Sequence, residues 1–352
     1  MKSAGSRTCS TISARSPYNK NEPREWCGLD SLLENQPKNF VRFAWGVLAF
    51  TILVVLWGAY VRASGSGAGC GNHWPLCNGE VVPASPALQT IIEFTHRAMS
   101  GIDGIAILAL LVWTWRVFPR SHPARAGAAL SACFLVTEAL IGAALVKLEQ
   151  VARNASVGRA WSLSGHLINT LALLACLALT AWWARGGLRI EWRGRQWISA
   201  LASVLLFVLT GISGAIAALG DTLFPVASLA AGLRQDFDPA ASVFLRLRIY
   251  HPFLAVATGA WLIFFALRTA TRMPEARPYA RFLLALVAIQ LGAGALNLLL
   301  LAPVWMQIAH LLLADLVWIT LVLLAASMLR ERPQAAESPA VLSLRSASQT
   351  VR

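Results

Sequence analysis

The sequence predicts an all-α integral membrane protein whose eight transmembrane helices form two pseudo-symmetric four-helix bundles. Three observations predict it. Only 13% of the 352 residues are charged and 57% are hydrophobic, whereas a soluble domain carries about a quarter charged residues. Eight apolar runs approach the roughly 20 residues that a helix needs to cross the hydrocarbon core. Histidines then recur at matching places in the first four and the last four runs.

The runs cover residues 40–63, 88–117, 126–148, 160–183, 197–219, 249–267, 282–301 and 304–329. The net charge of +13 comes largely from short connectors: Arg116, Arg120 and Arg125, then Arg185, Arg189, Arg193 and Arg195, then Arg268, Arg272, Arg277 and Arg281. That distribution marks topology and argues against a nucleic-acid partner. The segment between the first two runs holds no Lys or Arg. Both termini are therefore expected on the cytoplasmic side and that segment outside. The expected organisation is a polar cytoplasmic tail (1–39), a first four-helix repeat (40–184), a linker (185–196), a second repeat (197–329) and a disordered tail (330–352). The N-terminal tail lacks the apolar stretch of a secretory signal. A bacterial plasma membrane is favoured, with the mitochondrial inner membrane as the alternative, because no clear transit signal is present.

The repeats carry the chemistry. Of six histidines, His96, His166, His251 and His310 stand one each in runs two, four, six and eight, near the outward end of each. An intramembrane histidine is costly unless it is paired or liganding. Zinc prefers a compact set of ligands with carboxylate or thiolate members. A porphyrin iron takes two axial ligands from opposite faces, one from each of two facing helices. The expected pairs are His96 with His166 and His251 with His310, giving one haem per repeat. No Cys-x-x-Cys-His occurs, which argues against covalent haem attachment.

The halves differ one helical turn before the first histidine of each. Glu93 precedes His96, whereas Arg248 precedes His251. A carboxylate beside one porphyrin suits proton transfer or stabilisation of positive charge, and an arginine beside the other suits a haem propionate. The bland alternative makes both of them interfacial charges. The asymmetry suggests one haem that is transformed and one that is resident. Asp103, Glu138, Lys147, Asn169, Asn297 and Asp315 are the remaining polar groups singled out inside runs. Asp103 shares the face of His96 about 10 Å deeper, and Lys147 is expected to snorkel to the interface.

The outer segment reads RASGSGAGCGNHWPLCNGE. Cys70 and Cys77 face an oxidising compartment, where a disulfide is favourable. The residues leave two roles open, a structural staple or a redox-active pair. RASGSG with CGNHWPLCNG, the IIEFTHR segment around Glu93 and His96, and histidines opening spans four, six and eight together resemble the haem A synthase family over residues 40–330. That resemblance implies oxidation of the C8 methyl of haem O to a formyl by successive hydroxylations, with water as the oxygen source. It places haem O between His96 and His166 with Glu93 as the essential carboxylate, haem b between His251 and His310, and a functional role on Cys70 and Cys77. Some bacterial members carry a second cysteine pair in the outer loop of the C-terminal half. Residues 220–247 here contain none.

Expected partners are haem O, membrane lipid, a haem O synthase and a quinone or other electron acceptor, with a homo-oligomer left open. The rival readings are a quinol-linked di-haem cytochrome that only transfers electrons, and a thiol-oxidising protein built on the cysteine pair. The first leaves Glu93 and the cysteine loop unexplained, and the second leaves the histidines without a purpose.

Overall fold

The computed structural model describes residues 26–191 and 194–330, with side chains from Lys38 onward. Of the polar tails expected at 1–39 and 330–352, residues 1–25 and 331–352 lie outside the described residues, and the chain is helical from Trp26. Ten α-helices account for the described chain: α1 (Trp26–Ala63), α2 (Leu88–Val117), α3 (Pro123–Lys147), α4 (Val157–Ala184), α5 (Gln196–Leu223), α6 (Leu229–Asp236), α7 (Val243–Arg248), α8 (Tyr250–Arg272), α9 (Arg277–Leu299) and α10 (Val304–Met328). Eight spans among the described residues are long and apolar enough to cross a membrane. They match the eight predicted runs; the second coincides at both ends and the others are extended or trimmed, most at the start of the seventh span, Pro274.

Local signals set the ends. His122 caps α3 by accepting from the Ala124 amide, with Pro123 in the first turn. Ser156 caps α4 by accepting from the Arg159 amide. In each case a side-chain acceptor satisfies an amide that the first turn leaves free. The predicted sixth run, 249–267, falls in α8, and the apolar span itself begins earlier, at Phe244 in α7. Pro252 has no amide hydrogen to give the Arg248 carbonyl, and the helix is interrupted at Ile249. Sequence reading missed α6 and α7 inside the 220–247 segment. Both begin at a serine cap, Ser228 and Ser242.

Helices α1, α2, α3 and α4 close a ring in which each packs on the next and α4 returns to α1. Helices α5, α8, α9 and α10 close an equivalent ring. The rings meet through α4 with α5 and α10, and through α1 with α10. The core therefore runs along α4 and α10, where Leu171, Leu174, Leu177, Val317, Leu321 and Leu324 are buried. Trp318 donates its indole N–H to the Leu171 carbonyl across this seam at 2.7 Å. Large apolar side chains on the outer faces, such as Ile105 and Leu108 of α2, stay exposed. Lipid tails are their natural surroundings. The α4–α5 linker meets the end of α10, with the Glu191 amide donating to the Leu329 carbonyl.

Candidate functional site

His96 lies in α2, His166 in α4, His251 in α8 and His310 in α10, two histidines on each ring. His96 and His166 are near enough to feel one another's charge, and so are His251 and His310. These are the pairs the sequence predicts.

Glycines open the space around the rings. A Cβ on Gly58 of α1 would stand 2.9 Å from Cε1 of His96, and one on Gly214 of α5 would stand 2.9 Å from Cε1 of His251. A Cβ on Gly294 of α9 would come within 3.1 Å of Cε1 of His310. The first helix of each ring thus holds its imidazole at a distance that only glycine permits. Sequence reading did not single out these glycines, although GAYVRA and GAIAAL repeat the pattern.

The imidazoles find few partners in the protein. Nδ1 of His96 and of His310 is buried with no hydrogen-bond partner. His251 Nδ1 lies 2.9 Å from the Ser213 hydroxyl. His166 Nδ1 stands 2.9 Å from Oε1 of Glu138, outside the alignment of a hydrogen bond. Facing histidines cradled by glycine and largely free of protein partners fit the two axial ligands of a porphyrin iron. Among the described residues, no three His, Cys, Asp or Glu side chains converge into a compact metal set.

Glu93 is buried in α2 and engaged at both oxygens. Oε1 pairs with the Arg97 guanidinium at 2.5 Å, and Oε2 accepts the Cys70 amide at 2.9 Å. Arg97 in turn donates to the carbonyls of His73 and Leu76, both at 2.7 Å. Cys70 and Cys77 form a disulfide, and both are buried within a loop that is largely exposed from Asn72 onward. The loop rests on α2 so closely that a Cβ on Gly69 would collide with the Gln89 carbonyl oxygen. One turn from His96, a single carboxylate therefore joins the histidine's helix to the disulfide loop.

Arg248 occupies the corresponding place before His251, and both of its arms are taken. It pairs with Asp221 at the end of α5 at 2.8 Å and with Asp236 at the end of α6 at 2.5 Å. Asp103 accepts from Thr51 of α1 at 2.9 Å. Asn169 and Thr170, one turn beyond His166, both donate to Glu138. Asp315 is buried in α10 with Oδ2 unpartnered. Arg62, which sequence reading passed over, crosses between the rings: it donates to the Ala218 carbonyl at 3.0 Å, to Thr222 at 3.1 Å and to Gln307 at 3.2 Å.

Comparison with known proteins agrees with this arrangement. The COX15-CtaA family model, described as cytochrome oxidase assembly protein, matches residues 41–322. A protein of Thermus thermophilus named protoheme IX farnesyltransferase is 50% identical over 291 residues, covering 82% of this chain and 48% of that protein. A heme A synthase of Halalkalibacterium halodurans is 37% identical over 127 residues, 36% of this chain and 42% of the relative. A heme A synthase of Bacillus licheniformis is 45% identical over 95 residues, 27% of this chain and 31% of the relative. The chain thus spans about half or less of the length of these curated relatives. With the family match running through both rings and all four histidines, the chain belongs to the COX15-CtaA family of cytochrome oxidase assembly proteins.

Proposed function

We propose that this protein is a haem A synthase that oxidises the C8 methyl of haem O to a formyl group. The observation that carries the reading is the pairing of His96 with His166, one turn from a buried Glu93 that is tied to a disulfide loop. Methyl to formyl with oxygen from water releases four electrons and four protons per turnover. The site must therefore bind the substrate iron, keep bulk water out, steady positive charge and move protons.

His96 and His166 hold the substrate through its iron and so fix the ring plane between α2 and α4. Glu93 is the one carboxylate on the outward turn of α2. It stabilises positive charge developing at the methyl carbon or takes the proton of the attacking water. Arg97 holds Oε1, which keeps the carboxylate fixed while the bilayer and the outer loop keep the site dry. His251 and His310 would hold a haem b, which would supply one-electron redox chemistry on the way to an acceptor such as a quinone. Arg248 would meet a haem propionate only by sharing its guanidinium with Asp221 and Asp236. The disulfide, buried and joined to Glu93 through the Cys70 amide, suits a staple for the loop and sits where an electron-exchanging pair would also need to be. The cytoplasmic placement of both termini and the domain limits given above are carried as part of this reading.

The farnesyltransferase name of the Thermus relative points to the preceding reaction. Transfer from a prenyl diphosphate needs carboxylates that hold a divalent cation on the leaving group. No such cluster is formed among the described residues, and the match covers 48% of that protein. We therefore assign this chain the step that consumes the prenylated haem, with a haem O synthase as its supplier.

The test is expression in a host that makes haem O but no haem A, followed by extraction of non-covalent haems. Haem A should appear, and should disappear in His96→Ala. A bis-histidine spectrum with haem b alone, and no haem O or haem A, would instead favour the electron-transfer cytochrome, which the equivalent packing order of the two rings otherwise suits.

A further inference from the structure

The two rings treat the second histidine of each pair differently. In α3, Glu138 stands four residues before Gly142; in α9, Gln290 stands four residues before Gly294. Each faces the histidine of the following helix. Glu138 Oε1 lies 2.9 Å from His166 Nδ1, whereas Gln290 Nε2 lies 3.4 Å from Nε2 of His310 and leaves that ring's Nδ1 without a partner. The positions are equivalent, but one carries a carboxylate and the other a neutral amide.

The surroundings reinforce the difference. Glu138 is clamped from α4, where Asn169 donates to Oε2 at 2.5 Å and Thr170 donates to Oε1. Asn169 is itself fixed, donating to the Phe134 carbonyl at 2.8 Å and accepting from Thr137 at 2.5 Å. Three and four residues after His310 the second ring has Leu313 and Ala314. Gln290 has no such clamp, and its Oε1 is buried without a partner. The charge of Glu138 also reaches His96.

A carboxylate only accepts hydrogen bonds, whereas an amide donates or accepts. At 2.9 Å from Nδ1, Glu138 is placed to take the proton of that nitrogen once the His166 ring turns into line, which leaves the other nitrogen as a lone-pair donor. A carboxylate behind a ligating imidazole also makes that imidazole a stronger electron donor, and negative charge nearby favours the oxidised iron. We infer that Glu138 is a positioning residue that orients His166 and sets the first haem site at a lower reduction potential than the second, where Gln290 takes its place. Electrons from the first site then run downhill to the second. The inference rests on the haem reading above and adds to it the direction of electron flow.

The experiment uses the full-length protein, reconstituted with protohaem in both halves and titrated potentiometrically by its absorption bands. A variant lacking both His251 and His310, each replaced by Ala, assigns the bands of the first site. The wild type should resolve two potentials, the first site the lower. Glu138→Gln should raise the potential of the first site by at least a tenfold change in its reduction equilibrium, about 59 mV for one electron, and leave the second in place. Gln290→Glu should lower the second site and leave the first unchanged; this variant also decides the matter if Glu138→Gln does not fold. Two bis-histidine haems whose potentials ignore both substitutions would overturn the inference and spare the haem reading. Absence of any bis-histidine spectrum in the wild type would sink both.

Discussion

Glu93 answers two demands at once. Its carboxylate binds Arg97 and the Cys70 amide, and so holds the disulfide loop on α2. It also sits one turn from His96, where proton or charge chemistry is wanted. Glutamine keeps an acceptor for the Cys70 amide and loses the charge. Glu93→Gln is expected to retain the fold and bound haem while losing most conversion of haem O. Glu93→Ala removes both contacts and leaves the partly buried Arg97 guanidinium with only its loop carbonyl partners. Breaking a buried pair from one side costs about 3 kcal/mol or more, so its unfolding temperature in detergent should drop clearly below that of Glu93→Gln. Full haem A yield from Glu93→Gln would reduce the residue to a structural brace. The sequence already marked Glu93, because a carboxylate at i and a histidine at i+3 share a helix face. It did not show the Cys70 contact, since a bond across 23 residues of chain depends on how the glycine-rich loop folds back.

At the scale of the helix, the cradle matters more than the ligand. α1 passes His96 at Gly58 and α5 passes His251 at Gly214, with room in each case for a hydrogen but not for a methyl group. A β-branched side chain at either place must push the imidazole or the helix aside, and a tightly packed interior resists both. Gly58→Val is expected to lower the haem content of protohaem-reconstituted protein by emptying the first site alone. Gly214→Val should empty the second alone. Haem extraction combined with the absorption bands of each site checks both, and equal loss from the two sites in either variant would refute the pairing of helix with histidine. Most helix limits were legible to within about five residues because apolar run length is a direct consequence of bilayer thickness, though α1 starts at Trp26, well before its apolar run. The interruption before His251 was not, since Pro252 falls in the first turn of α8, where proline is otherwise tolerated. Arg248 shows the same limit. Its place one turn before His251 could be read from the spacing, but its pairing with Asp221 and Asp236, from the ends of α5 and α6, could not.

Across the whole molecule, duplication explains both what was readable and what was not. Two copies of one four-helix plan repeat the histidines at matching places, so each could be assigned to its ring from one sequence. The contacts that join the copies have no counterpart inside a copy and leave no repeated signal. Arg62 is the clearest case. It stands at the end of α1 within the RASGSG stretch, yet its guanidinium reaches the Ala218 carbonyl and Thr222 on α5 and Gln307 on α10. The other seam contact, Trp318 to Leu171, lies between apolar faces that would be buried in any arrangement. Arg62→Met keeps most of the apolar stem and removes three donor contacts, leaving acceptors on two helices without their partner. Hydrogen bonds to a charged group contribute about 1.5–3 kcal/mol each. The variant is therefore expected to unfold at a lower temperature while keeping both haems, because neither cradle nor the disulfide loop is touched. If electrons cross from the first ring to the second, this loosening should also slow re-oxidation of the first site and leave its potential unchanged. Flash-reduction kinetics on the protohaem-loaded protein separate the two effects. An unaltered unfolding temperature would mean that the apolar seam of α4 and α10 alone holds the rings together.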